Sequence, residues 1–286
     1  MTRYVLDDGD YRYDEARPAL AALSVVITRF NMALPNFREV GGFQDDDAFA
    51  GWLEARLPIF ENICLRSLRA QSRRPDAWLL GFDAAHPERV EAVLKMIKPY
   101  PWIRPVWQKV VDGKHESARV SFIREINQLL TPEHRYVLST RVDNDDALGR
   151  GYCEGRDQFA AGVVESRPEL DDFWIAFPLG AQLSRSRLRL YPQNNNAFLS
   201  RCESVTRYGG VRGGSALHWN HGHVFEKGLA FKAMSRAPIW MQYVHGSNVL
   251  NKENGTLAVL AEVDVELRRF GLVPEELRAA GMIAGA

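Results

Sequence analysis

Tyr136-Val-Leu-Ser-Thr-Arg141-Val-Asp143-Asn144-Asp145-Asp146-Ala-Leu148 changes character within a few residues: an apolar, β-forming run gives way to three carboxylates in four positions. Tyr136, Val137 and Leu138 predict a strand, so the acids fall where that strand leaves its sheet. In open α/β sheets, ligands gather at such carboxyl ends. Carboxylates one or two residues apart on an extended turn can converge on a hard divalent cation, Mg2+ or Mn2+, which in turn holds the oxygens of a diphosphate. Asp143, Asp145 and Asp146 are the candidate ligands. The same residues also suit an Asx-type turn whose acids only satisfy backbone donors. A calcium-type loop is a further alternative, although an EF-hand is disfavoured because the run lacks the Gly and closing Glu at the required spacing.

Upstream of this stretch, strands and helices alternate. Leu23-Ser-Val-Val-Ile27 is a compact apolar run that ends in Thr28-Arg29-Phe30-Asn31, a second candidate site segment that equally suits a sheet-capping loop with Arg29 paired to a local carboxylate. Asp45-Asp46-Asp47 precedes Ala48-Phe-Ala-Gly-Trp52-Leu53, which makes the acids helix N-cap and dipole partners. A longer helical pattern carries Ile59, Phe60, Ile63, Leu65 and Leu68, started or kinked by Pro58. Ala77–Phe82 is the next strand; Asp83 ends it before a helix opened by His86-Pro87-Glu88. Ile103–Val110 is a third strand, and Glu116–Leu130 a helix with Val120, Ile123, Ile126 and Leu130 inward. Its Arg119 and Arg124 suit either phosphate contact or surface salt bridges. Alternation of this kind predicts a parallel, doubly wound sheet with right-handed crossovers, one edge lined by Thr28, Arg29, Asp83 and Asp143.

Downstream, the pattern turns to β. After a helix near Gly151–Gly162, the runs Phe173–Leu179, Arg187–Tyr191 and Ala197–Leu199 predict a mixed or antiparallel extension. Gly209, Gly210, Gly213 and Gly214 frame a mobile loop leading into Leu217-His218-Trp219-Asn220-His221-Gly222-His223-Val224-Phe225-Glu226, where His221 and His223 flank a strand-like Gly222. The histidines meet no strict zinc spacing, but a loop can aim one of them at a ligand. Ile239–Val244 is a late strand whose polar end, His245-Gly246-Ser247-Asn248, offers His245 either as the last ligand of a metal shell begun far upstream or as an ordinary hydrogen-bonded histidine. Short helices, including Pro274–Ala280, close the chain.

Composition narrows the class. With 286 residues, 46% hydrophobic and 25% charged, the chain suits one large α/β domain with additions or two small ones. Lys plus Arg and Asp plus Glu both number 36, which gives no sign of a nucleic-acid binder. The local basic run Arg185-Ser-Arg187-Leu-Arg189 suits a solvated β-edge, or contact with phosphate or an acidic glycan. Cys64, Cys153 and Cys202 are isolated, which argues for a reducing compartment and against structural zinc. Met1–Glu15 shows no signal pattern and no apolar run approaches a bilayer span, so the expected location is cytoplasmic, with peripheral membrane contact left open.

Several of these segments together resemble the putative rhamnosyltransferase family: Val26-Ile-Thr-Arg-Phe-Asn31, Phe60-Glu-Asn-Ile-Cys-Leu65 with Ser67 and Gln71, Trp78–Asp83, Ser139–Leu148 and Trp240-Met-Gln-Tyr-Val-His-Gly-Ser-Asn248. The resemblance implies a GT-A type glycosyltransferase: a Rossmann-like, mostly parallel central sheet flanked by helices, with a mixed β extension in the C-terminal half. With the polar, turn-rich start and helical end of the chain, it suggests an arm (1–22), a nucleotide-sugar-binding half (23–150), an acceptor and catalytic half (151–254) and a helical tail (255–286). Asp143 and Asp145 match the DxD-type motif of such enzymes, with Asp146 adjacent. Asp83 falls where related enzymes hold base or ribose, and Thr28, Arg29 and Asn31 where they frame the nucleotide. His221, His223 and Glu226 lie where a general base is expected. The implied partners are a nucleotide-diphosphate sugar, with "rhamnosyl" as a label for the sugar class, and a glycan or other hydroxyl acceptor. Mn2+ or Mg2+ is the implied cofactor. The alternative is a non-catalytic glycan- or protein-binding module on the same fold, its acids being turn chemistry.

Overall fold

A computed structural model describes residues 4–5, 20–33, 46–185, 187–211, 213–246 and 258–284. Most of the expected arm over 1–22 lies outside them, as do Asp45 of the acidic triplet and Ser247 and Asn248 of the late motif. The strands are β1 (Tyr4–Val5), β2 (Ala22–Arg29), β3 (Ala77–Asp83), β4 (Ile103–Gln108), β5 (Val110–Val111), β6 (Lys114–His115), β7 (Tyr136–Arg141), β8 (Ala147–Leu148), β9 (Asp172–Ala176), β10 (Leu179–Ser184), β11 (Leu188–Pro192), β12 (Ser200–Ser204), β13 (Ala230–Met234) and β14 (Trp240–Val244).

Eight of them form the main sheet in the order β1-β13-β9-β12-β7-β2-β3-β4. Only β12 runs against its neighbours. A second sheet, β11-β10-β14-β8, is mixed, and β5 with β6 makes a small hairpin. This is the expected α/β architecture, a mostly parallel central sheet with a mixed β extension formed largely by the second half of the chain. Strands β2 and β3 are buried along almost their whole length, as the near-continuous apolar runs of a two-sided parallel sheet require.

Helix α1 (Asp46–Ile59) keeps Pro58 inside it and then widens into a π-helical turn, Phe60–Leu65, before closing at Arg66–Arg69. Proline has no N–H to donate and its ring crowds the preceding turn, and the wider π turn follows directly. The side chain of Asn62 donates to the Pro58 carbonyl at 2.9 Å. Pro58 therefore neither starts nor stops the helix. Helix α2 (Glu91–Ile97) follows β3, and α3 (Ala118–Leu129) is capped by Ser117, whose hydroxyl accepts from Val120 N. Its inward face is Ala118, Ser121, Phe122 and Ile126. Val120, expected inward, is 47% exposed, because the cap sets the helical phase from Ala118 and places Val120 about 200° away.

Three expectations for the second half are corrected. Phe173–Leu179 is not one strand: Pro178 separates β9 from β10, which enter different sheets. The strand expected at Ala197–Leu199 starts at Ser200 instead, and its polar sequence hid it because Arg201 and Glu203 are buried with ionic partners. The segment around His221 is not strand-like; it forms 3-10 turns at Ser215–Leu217 and His221–His223 and a short helix α5 (Val224–Lys227). Of the basic run, only Leu188 and Arg189 lie on the edge strand β11, and Arg189 is buried; Arg185 and Arg187 precede that strand. Helix α4 (Tyr152–Ser166) backs the main sheet, and α6 (Val263–Arg269) and α7 (Pro274–Ala279) bury Leu267 and Leu277 beside β10 and β14.

Candidate functional site

The acidic stretch is the crossing between the two sheets: β7 belongs to the main sheet and β8 to the second. Its backbone makes a turn in which Asp146 N donates to Asp143 O at 3.2 Å. Asn144 fastens it to the end of β2, its amide donating to the Phe30 carbonyl at 2.9 Å. The three carboxylates therefore diverge, and each meets different partners.

Asp143 stays with the main sheet. Arg141 Nη2 lies 3.4 Å from its Oδ2 and Arg29 Nη2 lies 3.9 Å from its Oδ1. These guanidiniums hold its carboxyl below the ordinary value against the opposing effect of burial. His221 joins the same neighbourhood: burial, then Arg141, pushes its imidazole down, while Asp143 pulls it up. Its Nδ1 is buried without a hydrogen-bond partner.

Asp145 turns toward α1 and the end of β14. Arg56 pairs with its Oδ2, and His245 Nε2 stands 3.2 Å from the same oxygen. Arg56 also lies 3.2 Å from His245 Nε2 and rests over the Trp52 ring. Asp146 points inward, where Oδ1 accepts from Tyr243 N at 3.1 Å and Oδ2 has no hydrogen-bond partner. Burial, then the neighbouring acids Asp145 and Asp143, push its carboxyl well up. Cys64, from the π turn, has its thiol raised by burial and by the same acids.

The remaining expected residues divide. Asn31 accepts from Asp83 N through Oδ1 at 3.2 Å, while its Nδ2 is buried without a hydrogen-bond partner. Asp83 Oδ1 lies 3.0 Å from His115 Nε2, on the hairpin that follows β4. These residues, with Arg29, do share the carboxyl edge of the parallel strands. Thr28 does not face that edge: it is fully buried and accepts from Trp78 Nε1 at 2.9 Å, so it serves packing. Arg124 is paired with Glu116, and Arg119 lies 3.3 Å from His218 Nδ1. His223 and Glu226 pair with one another at 3.2 Å, both exposed. Arg141, Arg56 and His115 belong to the site and were not foreseen. Arg141 was open to discovery, since strand alternation puts it on the same side as Asp143; Arg56, 89 residues from Asp145, left no local signal.

Among the described residues no three His, Cys, Asp or Glu side chains come together as a metal cage. Asp145 and His245 nonetheless form a carboxylate and imidazole pair. Arg56 Nη1 contacts both Asp145 Oδ2 and His245 Nε2, so a divalent cation would have to take these atoms from the guanidinium and complete its shell with phosphate oxygens and water.

A comparison with curated proteins found no match. Among solved structures, the chain is 10% identical to 4-diphosphocytidyl-2C-methyl-D-erythritol synthase from Anaerococcus prevotii, with 75% of this chain and 87% of that chain covered at a TM-score of 0.32. It is 12% identical to the inositol-1-phosphate CTP transferase from T. maritima, with 81% and 93% covered at 0.35. Likeness to a putative nucleotide-diphospho-sugar transferase from Desulfovibrio desulfuricans is 10% over 78% and 82% at 0.33. Likenesses this remote decide nothing about the chain. Residues 25–256, which include every site residue named above, match the family described as "Putative rhamnosyl transferase", and the chain belongs to that family.

Proposed function

We propose that the protein transfers a glycosyl group, rhamnose being the sugar the family name suggests, from a nucleoside-diphosphate donor to a hydroxyl of a glycan or similar acceptor. The observation that carries this reading is the placement of Asp145 beside His245, at the carboxyl edge where Arg29, Arg141, Asn31 and Asp83 also gather. A divalent cation held by Asp145 and His245 would supply Lewis-acid stabilisation of the departing diphosphate.

The chain's own groups have separable tasks in this scheme. Asn31 and Asp83 bind the nucleoside end, and Arg29 and Arg141 face its negative charge. His221 is the favoured general base: it is held neutral by burial and by the nearby guanidiniums, and a neutral imidazole can take the acceptor's proton as the hydroxyl attacks. Asp143 favours the imidazolium that results, and the proton leaves with His221 until solvent removes it. Among the described residues no helix is long and apolar enough to cross a membrane.

Titration with UDP, GDP and dTDP, with and without Mn2+, followed by product analysis with the matching sugar nucleotides and a glycan acceptor, tests the reading. Release of free sugar or phosphate with no acceptor product would favour hydrolysis, and failure of every nucleotide to bind would remove the donor altogether.

A further inference from the structure

Arg29 and Arg141 sit on adjacent parallel strands, and the register that pairs Ile27 with Arg141 puts Ile27, Arg29 and Arg141 on one face of the sheet. Two guanidiniums brought this close repel each other; burial and that repulsion draw Arg29 down to about 10. Asp143 lies between them, at 3.9 Å from Arg29 and 3.4 Å from Arg141. Neither contact has closed to the roughly 2.7–2.9 Å of a charge-assisted hydrogen bond. One carboxylate against two guanidiniums leaves the corner net positive. Both arginine Nε atoms are buried there without a hydrogen-bond partner, as are Asn31 Nδ2 and His221 Nδ1. Buried polar atoms in that number call for a partner, water or a ligand, in the space they face.

We propose that Arg29 and Arg141 form a two-pronged clamp for the donor's diphosphate, and that Asp143 faces these guanidiniums in the place an anion would take instead of ligating a metal. The guanidinium plane matches a phosphate with two parallel donors, which an ammonium does not. The inference rests on the donor reading above, but it separates two functions that a DxD-type motif would merge. Anion binding belongs to Asp143 and its arginines, and cation binding to Asp145 and His245.

Calorimetric titration of inorganic pyrophosphate in EDTA tests the clamp on wild type, Arg29→Ala, Arg141→Ala, Arg141→Lys and Asp143→Asn, each checked for folding by circular dichroism and a thermal melt. Wild type is expected to bind without metal, and each alanine variant to weaken binding by about tenfold or more. Arg141→Lys keeps the charge but loses the fork, so it too should weaken, and it replaces the alanine variant if that variant does not fold. Asp143→Asn should bind as well as wild type or better, because a competing carboxylate is gone. Absence of pyrophosphate binding in EDTA, unchanged affinity in both arginine variants, or loss in Asp143→Asn would overturn the clamp. Repeating the titrations with UDP, GDP and dTDP plus Mn2+ distinguishes the two readings. Nucleotides that bind no tighter than pyrophosphate leave the clamp standing and remove the donor; nucleotide binding indifferent to both arginines does the reverse.

Discussion

His245 Nε2 stands 3.2 Å from Asp145 Oδ2 although 100 residues separate them. The cause is one residue further along: Asp146 Oδ1 accepts from Tyr243 N, and β14 pairs antiparallel with β8 through Trp240 with Leu148 and Met241 with Ala147. The acidic turn thus aligns β14 by one carboxylate and meets the imidazole at its end by the next. Asp146 is a structural tie, and Asp145 is the acid that meets both Arg56 and His245.

Replacing Asp145 or His245 by Ala should remove the Mn2+-dependent part of nucleotide binding, by more than about tenfold, while leaving metal-free binding in place. Titration with and without EDTA reads this directly. Asp145→Ala should also destabilise the fold, because Arg56 is only 3% exposed and would lose its carboxylate. A cost of about 3 kcal/mol in urea denaturation is expected. Asp145→Asn keeps a hydrogen-bond acceptor and should cost less, so binding and folding can be separated.

The two candidate histidines should behave differently. His221→Gln should lower kcat by about 10²–10⁴ with a smaller change in KM, whereas His223→Gln, in an exposed pair with Glu226, should leave both within about twofold. Since the folded protein holds His221 below the ordinary 6.5, the base stays unprotonated at lower pH and the acid limb of the rate profile should fall below that value. The sign for stability agrees. The unfolded chain takes up this proton first, so stability is full above 6.5 and is lost as pH falls from there through the folded-state value.

Glycine substitutions should have opposite effects at two positions. A Cβ on Gly180 would overlap the indole of Trp240, which is fully buried, stacked on Phe198 at 4.8 Å, and bonded through Nε1 to the Phe177 carbonyl at 2.6 Å. Gly180→Ala should cost about 1–3 kcal/mol in denaturant unfolding. A Cβ on Gly51, within α1, meets nothing within 4 Å, so Gly51→Ala should stabilise by about 0.5–1 kcal/mol.

Cys64, Cys153 and Cys202 are all buried, and burial raises all three thiols, Cys153 to about 12. None should react with a thiol reagent such as DTNB in the folded protein, and all should react once it is unfolded. Fast labelling of any of them in native buffer would contradict this burial.

Local pattern carried most of the strands in the first half. The apolar runs behind β2, β3 and β7 are continuous because both faces of those strands are buried, and a continuous run needs no partner to be recognised. The pattern misled where tertiary partners pay for polarity. Strand β12 carries Ser200, Arg201 and Glu203 into the interior, where Thr140 and Tyr152 meet Ser200, Asp172 pairs with Arg201, and the backbone of Gly213 and Ser215 donates to Glu203. Strand β13 offered only Ala230-Phe-Lys-Ala-Met234, too short and mixed to stand out.

The sequence by itself determined which elements alternate, where the parallel strands end, and that Arg29, Asn31, Asp83 and the acidic run stand at those ends, because strand-forming runs and their polar terminators are set by neighbours along the chain. Tertiary structure alone decided how the acids are used. A turn that leaves one sheet and enters another sends Asp143 to Arg29 and Arg141, Asp145 to Arg56 and His245, and Asp146 to the backbone of Tyr243. Those partners come from strands and a helix far away in sequence, and only the pairing of β7 with β2 and of β8 with β14 brings them together.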